Sequence, residues 1–211
     1  MPVILRKQIF PNINIAIWQI TETEDCLLHS LQLCPEDKAN LSGIKLPQVR
    51  LQKLACRAAL AELLGSNEIG ITYSETGQPQ IKDHYISFSH TKNIVAAVLA
   101  DMPVGIDIEE LSPRIVPLYP RFMSREEIAA CNPNNLQDLY YYWCAKEAMY
   151  KWYAAKNLDF IEDLQVYKNE DRGVVCKTHT VQLSHISFDN LSVVVCGLYF
   201  KPLTAAPSSF A

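Results

Sequence analysis

The chain has 211 residues, hydrophobic residues at 49% and a formal net charge of −4 at pH 7. This length allows one or two domains with a substantial core. This net charge does not indicate a general binder of nucleic acid or of membrane surfaces, so a strongly acidic partner would have to meet a local basic patch.

The elements predicted in the first half are long helices alternating with short strands. Residues 12–20 predict a strand and residues 24–34 a helix. LPQVRLQKLACRAALAELLG, residues 46–65, predicts an amphipathic helix that ends at Gly65. Strands are then predicted over residues 69–74, 78–81, 85–90, 94–101 and 104–111.

The second half continues with two helices and then strands. SREEIAAC, residues 124–131, predicts a helix in which Ser124 and Glu127 form a capping box. Residues 138–157 predict a second long helix. Alternating residues predict strands over 164–168, 174–183 and 191–200.

The seven cysteines are odd in number, and no two of them have CxxC spacing. We predict small buried side chains in a reducing compartment rather than a disulfide framework. MPVILRKQIF lacks the long apolar core of a signal peptide, and no apolar run reaches transmembrane length. We therefore expect a cytoplasmic protein without a membrane partner.

The sequence contains one possible internal duplication. ISFSHTKNIVAAVL, residues 86–99, is similar to ISFDNLSVVVCGL, residues 186–198, and each follows a long predicted helix. This predicts an α+β protein with two similar halves, residues 1–102 and 103–211, and a ligand cleft between them. The alternative is a chance similarity between two apolar hairpins.

The run VGIDIEEL places Asp107 and Glu109 on one face of a predicted strand and its isoleucines on the other face. Two like charges on one face are unfavourable, and a divalent cation would compensate them. Glu147, on the second long helix, is a candidate third ligand, and Lys151 is its neighbour one helical turn further on. The alternatives are an exposed acidic strand face and an ordinary surface ion pair.

Several other side chains have the chemistry of phosphate binding. Ser89 and His90 lie at a predicted strand end, where they could contact a phosphate, although a structural histidine is the alternative. Arg50 and Arg57 lie on one side of the first long helix, and arginine suits bidentate phosphate recognition. The alternative is that they are helix-surface arginines.

The order SETGQPQI, ISFSHTKNIVAAVL, VGIDIEEL, RFMSREE and YYWCAKEAMYK resembles the 4′-phosphopantetheinyl transferases. The resemblance extends from about Arg57 to Lys151, and its most specific part is GIDIE followed by WxxKExxxK. It is closest to the longer, pseudo-dimeric type, because GIDIE lies in the middle of the chain. That type implies two α+β halves, each a long helix on a small antiparallel sheet, related by a pseudo-two-fold axis.

The resemblance also implies a reaction. A serine of an apo acyl or peptidyl carrier protein would attack the β-phosphorus of coenzyme A, with Mg²⁺ or Mn²⁺ on the pyrophosphate, and adenosine 3′,5′-bisphosphate would leave. The implied metal ligands are Asp107, Glu109 and Glu147, and the implied catalytic residues are Glu147, Lys151 and Asp107. The implied coenzyme A contacts are Arg50, Arg57, Gln78, Pro79, Ser89, His90 and Lys151.

One position departs from the family pattern, which usually has GKP where this chain has Gly77–Gln78–Pro79. The family lysine helps to bind coenzyme A, so Gln78 predicts weaker binding or more reliance on the arginines and Lys151. This departure supports an alternative, a non-catalytic relative that binds coenzyme A or a carrier protein. A third possibility is an unrelated Mg²⁺-dependent phosphoryl-transfer enzyme, although the chain has no P-loop motif.

The segment LSPRIVPLYPRFMSR, residues 111–125, combines arginines with apolar residues and contains no acid. We expect it to dock an acidic carrier protein through Arg114, Arg121 and Phe122. The alternative is a connector that packs on the core. We also expect a monomer, because the duplication would supply within one chain the interface that a shorter relative gains by assembling.

Overall fold

Two antiparallel sheets, each with a long helix packed against it, form the fold in the computed structural model. The structure describes residues 2–154, 157–167, 173–176, 179–188 and 190–197. Up to residue 100 the elements are β1 (Val3–Phe10), β2 (Ile13–Gln19), α1 (Glu24–Ser30), β3 (Gln32–Leu33), α2 (Pro35–Ser42), α3 (Pro47–Leu64), β4 (Glu68–Ile69), β5 (Thr72–Tyr73), β6 (Pro79–Ile81), β7 (His84–His90) and β8 (Ile94–Ala100).

The second part begins with the strand that carries the two acids. Its elements are β9 (Val104–Glu110), short 3₁₀ turns at Pro113–Ile115 and Tyr119–Arg121, α4 (Arg125–Ala130), α5 (Leu136–Tyr153), β10 (Leu164–Val166), β11 (Gly173–Cys176), β12 (His179–Phe188) and β13 (Leu191–Gly197). None of the helices within the described ranges has the length and apolar character needed to cross a membrane.

The two sheets pack face to face through β-branched and small residues. The first sheet has the strand order β1-β2-β8-β7-β6-β5, and the second has β10-β11-β12-β13-β9. Ile106 and Ile108 of β9 are fully buried among apolar residues of β2, β8 and β13. Because side chains alternate along a strand, Asp107 and Glu109 point to the opposite face, toward α5.

Helices α3, α4 and α5 agree closely with the helices predicted from the sequence. α3 begins at Pro47 and ends before Gly65, whose φ of 66° is the left-handed conformation that glycine favours at a helix end. In α4, Ser124 and Glu127 form the predicted capping box. α5 starts two residues before the predicted first residue and ends four residues before the predicted last residue, 157.

Two predictions need correction. The predicted helix over residues 24–34 ends at Ser30, because Gln32 and Leu33 pair in parallel with β4, a partner too distant in sequence to be seen in the local pattern. The cysteines are not uniformly buried, since Cys56, Cys144 and Cys196 are buried but Cys26 is exposed. The α+β class with antiparallel sheets is confirmed, while the pseudo-two-fold axis and the division after residue 102 stay predictions.

Helix α5 lies unusually close to β9 at Gly105. A Cβ atom added to this residue would lie 1.9 Å from the carbonyl oxygen of Ala148 and 2.9 Å from the amide nitrogen of Trp152. Only glycine can occupy a position where two backbones approach so closely. Gly105 thereby sets the distance between the acids of β9 and the side chains of α5.

Candidate active site

A cavity of about 550 Å³ lies where α3, β7 and the loop between β5 and β6 meet β9 and α5. Its volume is in the range usual for small-molecule sites. Among the residues that line it are all the predicted site residues except Arg50, namely Arg57, Gln78, Pro79, Ser89, His90, Asp107, Glu109, Glu147 and Lys151.

Asp107 is neutralised by an ammonium group within the chain. The Nζ atom of Lys151 donates to Asp107 Oδ1 at 2.7 Å, to Ser89 Oγ at 3.1 Å and to the carbonyl oxygen of Ile106 at 3.0 Å. Ser89 Oγ in turn donates to Asp107 Oδ1 at 2.7 Å. Lys151 therefore neutralises part of the negative charge on the acidic face of β9.

The two neighbouring glutamates lie in an environment that disfavours their ionised forms. Burial raises the pKa of Glu109 to about 7, and the charge of Asp107 adds to the effect, while a hydrogen bond from Trp143 Nε1 at 3.1 Å opposes it. Burial also raises the pKa of Glu147, and the negative charge of Asp107 raises it further. The positive charge of Lys151 has the opposite effect. Clustered carboxyl groups of this kind attract a further positive charge.

The donor chemistry of this cluster fits a hard divalent cation. Asp107 is 4% exposed, and its Oδ2 atom has no hydrogen-bond partner among the described residues. Asp107, Glu109 and Glu147 supply only oxygen donors, which Mg²⁺ and Mn²⁺ prefer. Within the described ranges, however, no three acidic, imidazole or thiol groups are gathered closely enough to hold a metal ion as they stand. The carboxylates would have to converge on binding.

Arg57 lines the cavity but is already paired. Its guanidinium donates to both carboxylate oxygens of Asp37, a residue that is fully buried, and to the hydroxyl of Tyr73 at 3.1 Å and the carbonyl of Lys53 at 2.8 Å. The sequence analysis missed Asp37, because it lies 20 residues earlier in a short polar helix and carries no motif. This pair fixes the orientation of Arg57 at the wall of the cavity.

The structure does not bring Arg50 to the cavity, which corrects its predicted role. Its guanidinium donates to Glu24 of α1 and, at 2.8 Å, to the carbonyl oxygen of Ile44. Lys53, one turn further along α3, lines the cavity instead. The signal that could have identified it is its spacing of four residues from Arg57, which places both on one helix face.

Gln78 and His90 also line the cavity. The Nε2 atom of Gln78 donates to the backbone carbonyl of Lys151 at 2.6 Å, so the loop between β5 and β6 is attached to the last turn of α5. Burial, and then the charges of Lys151 and Lys53, lower the pKa of His90. An anionic ligand beside His90 would offset the effect of these positive charges.

A buried ion pair on the other side of α5 was also missed. Lys146 Nζ, fully buried, donates to Glu127 Oε2 at 2.7 Å and to the carbonyls of Phe160 and Leu164, each at 2.6 Å. Glu127 Oε1 accepts the amide of Val166 at 2.7 Å. These bonds link α4, α5 and β10 at the residue that precedes Glu147 in the sequence.

The predicted docking segment, residues 111–125, has an exposed outer face and a buried inner face. Arg114 and Arg121 are exposed, and Val116 and Leu118 are 40% and 43% exposed. Phe122 is only 4% exposed, so the prediction that it contacts a partner is wrong. It instead packs edge-on against Trp143, with ring centroids 4.9 Å apart.

The chain is similar to known 4′-phosphopantetheinyl transferases. The model of the 4′-phosphopantetheinyl transferase superfamily matches residues 103–196. A 4′-phosphopantetheinyl transferase of Bacillus subtilis is 30% identical over 128 residues, 56% of this chain and 57% of that protein. The 4′-phosphopantetheinyl transferase psf-1 of Bacillus pumilus is 36% identical over 76 residues, 34% of this chain and 33% of that protein.

These alignments span from a third to somewhat more than half of the length of the two relatives. The superfamily match begins just before β9 and includes Asp107, Glu109, Glu147 and Lys151. The strand and the helix that supply the acidic cluster therefore both lie inside it. Residues 103–196 of the chain therefore match the 4′-phosphopantetheinyl transferase superfamily.

Proposed function

We propose that this chain transfers the 4′-phosphopantetheine arm of coenzyme A to a serine of an apo acyl or peptidyl carrier protein, in a Mg²⁺-dependent reaction. The observation that carries the proposal is one cavity lined by Asp107, Glu109, Glu147 and Lys151, within the region matched by the superfamily. This observation favours the transferase over the third possibility, an unrelated phosphoryl-transfer enzyme.

The charges in the cavity explain why a cation is needed. Its cationic residues are Lys53, Arg57 and Lys151, of which Arg57 is paired with Asp37 and Lys151 with Asp107. Coenzyme A carries a pyrophosphate and a 3′-phosphate, which three acids in the same cavity would repel. Mg²⁺ held by Asp107, Glu109 and Glu147 would stabilise the negative charge of phosphoryl transfer.

The chain's own residues then take the following roles. Glu147, whose pKa is raised, accepts the proton of the carrier serine as its oxygen forms a bond to the β-phosphorus. The bond between the β-phosphorus and the bridging oxygen breaks, and that oxygen leaves with adenosine 3′,5′-bisphosphate. Lys151 donates to phosphate oxygens, and Ser89 and His90 contact the phosphates, with Arg57 orienting the nucleotide by its fixed guanidinium.

The carrier protein is proposed to dock on the exposed face of residues 111–125. Arg114 and Arg121 supply positive charge there, and Val116 and Leu118 supply apolar area. Carrier proteins are generally acidic, and complementary charge favours their encounter with such a surface. The segment follows β9 directly, so the docked serine would lie beside the metal-binding acids. We also propose that the protein is cytoplasmic and monomeric, and that residues 1–102 and 103–211 form two similar halves.

The test is the intact mass of an apo carrier protein after incubation with this chain, coenzyme A and Mg²⁺. We expect a gain of one phosphopantetheine arm, lost on addition of EDTA and lost with Asp107→Ala, which removes a proposed ligand without leaving a larger side chain behind. Circular dichroism would verify that the variant folds. Binding of coenzyme A without any mass gain, across fatty-acid and peptide-type carriers, would favour the non-catalytic alternative instead.

Charge reversal tests the docking surface. Arg114→Glu combined with Arg121→Glu is expected to raise the KM for the carrier about tenfold, because it replaces attraction by repulsion at the encounter surface. The KM for coenzyme A should stay unchanged. Lys7→Glu, on exposed strand β1, is the control for a general change of charge. Unaltered carrier kinetics in the double variant would refute docking at this segment.

A further inference from the structure

The ammonium of Lys151 sits in a cage of three oxygens. Its acceptors are Asp107 Oδ1, Ser89 Oγ and the carbonyl oxygen of Ile106, at 2.7–3.1 Å. An ammonium group has three N–H donors, so these three bonds use all of them. Oxygen atoms of a carboxylate, a hydroxyl and a carbonyl are also the ligands that hard divalent cations select.

The backbone of Lys151 is held in place, whereas its side chain borders the cavity. Gln78 binds the Lys151 carbonyl at 2.6 Å, and the close contact at Gly105 fixes α5 on β9. The Lys151 side chain is 28% exposed and faces the cavity, whereas that of Asp107 is 6% exposed. A change of partner by the ammonium therefore needs only side-chain rotation.

We infer that Lys151 is a tethered counterion that occupies the cation position of Asp107 until coenzyme A and a divalent cation bind together. The inference rests on the proposed function in taking Asp107 as a metal ligand. A divalent cation that takes Asp107 Oδ1 as a ligand in the absence of coenzyme A must displace the ammonium without giving it a new partner. Coenzyme A supplies that partner, because its phosphate oxygens accept the ammonium and leave Asp107 Oδ1 to the metal.

The consequence is a reciprocal coupling between the two ligands. If coenzyme A strengthens metal binding, the metal must strengthen coenzyme A binding by the same factor. Couplings of this kind are commonly about fivefold or more. The device would keep the acids of the empty site from taking up a cation before the substrate is present.

The test measures Mn²⁺ binding directly, by electron paramagnetic resonance of free Mn²⁺, in the absence of coenzyme A. We expect Lys151→Gln to bind Mn²⁺ about tenfold more tightly than the native chain, since the competing ammonium is gone. On addition of coenzyme A, the native chain should gain about tenfold more Mn²⁺ affinity than Lys151→Gln, in which only the pyrophosphate oxygens remain to strengthen metal binding. Lys151→Met serves as a second variant if the first does not fold.

Lys53→Gln is the matched control, because it removes a positive charge from the same cavity on a different helix. If the proposal is correct, this control keeps a coupling close to the native value. Equal Mn²⁺ affinity in Lys151→Gln and the native chain, or equal changes in both variants, would overturn it. Failure of the proposed function is seen separately, as an apo carrier that gains no mass whatever the Mn²⁺ result.

Discussion

Replacing Gly105 by alanine is expected to lower the free energy of unfolding by about 3 kcal/mol. The added Cβ would lie 1.9 Å from the Ala148 carbonyl oxygen and 2.9 Å from the Trp152 amide nitrogen, both of them backbone atoms of α5. Neither atom can move aside by a change of rotamer, so the helix itself must retreat from β9. Urea unfolding followed by circular dichroism measures the loss.

The same replacement should also separate the two sides of the candidate site. Lys151 and Glu147 are on α5, whereas Asp107 is two residues after Gly105 on β9. Gly70→Ala is the matched control, because a Cβ there meets no atom within 4 Å, and it should change stability by less than about 0.5 kcal/mol. Equal stability of the two variants would show that α5 and β9 tolerate a wider separation.

Lys146→Met is expected to cost about 3–5 kcal/mol, the usual loss when one member of a buried ion pair is removed. Glu127, 4% exposed, would keep its charge without a cation, and the carbonyls of Phe160 and Leu164 would lose their donor. Burial already lowers the pKa of Lys146, and Glu127 opposes that effect. Urea unfolding at neutral pH is again the measurement.

Two further variants separate charge from packing in this prediction. Adding Glu127→Gln to Lys146→Met should recover part of the loss, because it removes the uncompensated charge and keeps an oxygen acceptor. Arg6→Met breaks an exposed pair with Glu62 and should cost less than about 1 kcal/mol. A loss in Lys146→Met no larger than that in Arg6→Met would contradict a structural role for the buried pair.

The elements with strong local signals were predictable from the sequence. α3 has a proline at its first position and a glycine after its last, and α4 has a capping box, so their ends depend on neighbouring residues alone. The end of α1 depends instead on a parallel pairing with residues 68–69, which no local pattern encodes. For the same reason the burial of Phe122 against Trp143 was not foreseen.

The candidate site could likewise be predicted from the sequence only in part. The alternation in VGIDIEEL and the spacing of Glu147 and Lys151 define faces of a strand and a helix, and the structure brings those faces together. The partners of individual charges could not be predicted, because they depend on which surfaces meet in three dimensions. Arg50 pairs with Glu24, and Arg57 with Asp37, although both arginines share one side of α3 in the sequence pattern.

The pairing of Arg57 with a fully buried carboxylate affects the electrostatic attraction of an anionic ligand from a distance. Seen from a distance, Arg57 and Asp37 together are a neutral dipole, whose attraction for an anion decays faster with separation than that of a single charge. Long-range attraction of a phosphate would therefore depend on Lys53, and this attraction would weaken as the ionic strength rises. Arg57 would act only at contact, where its fixed direction discriminates between phosphate positions.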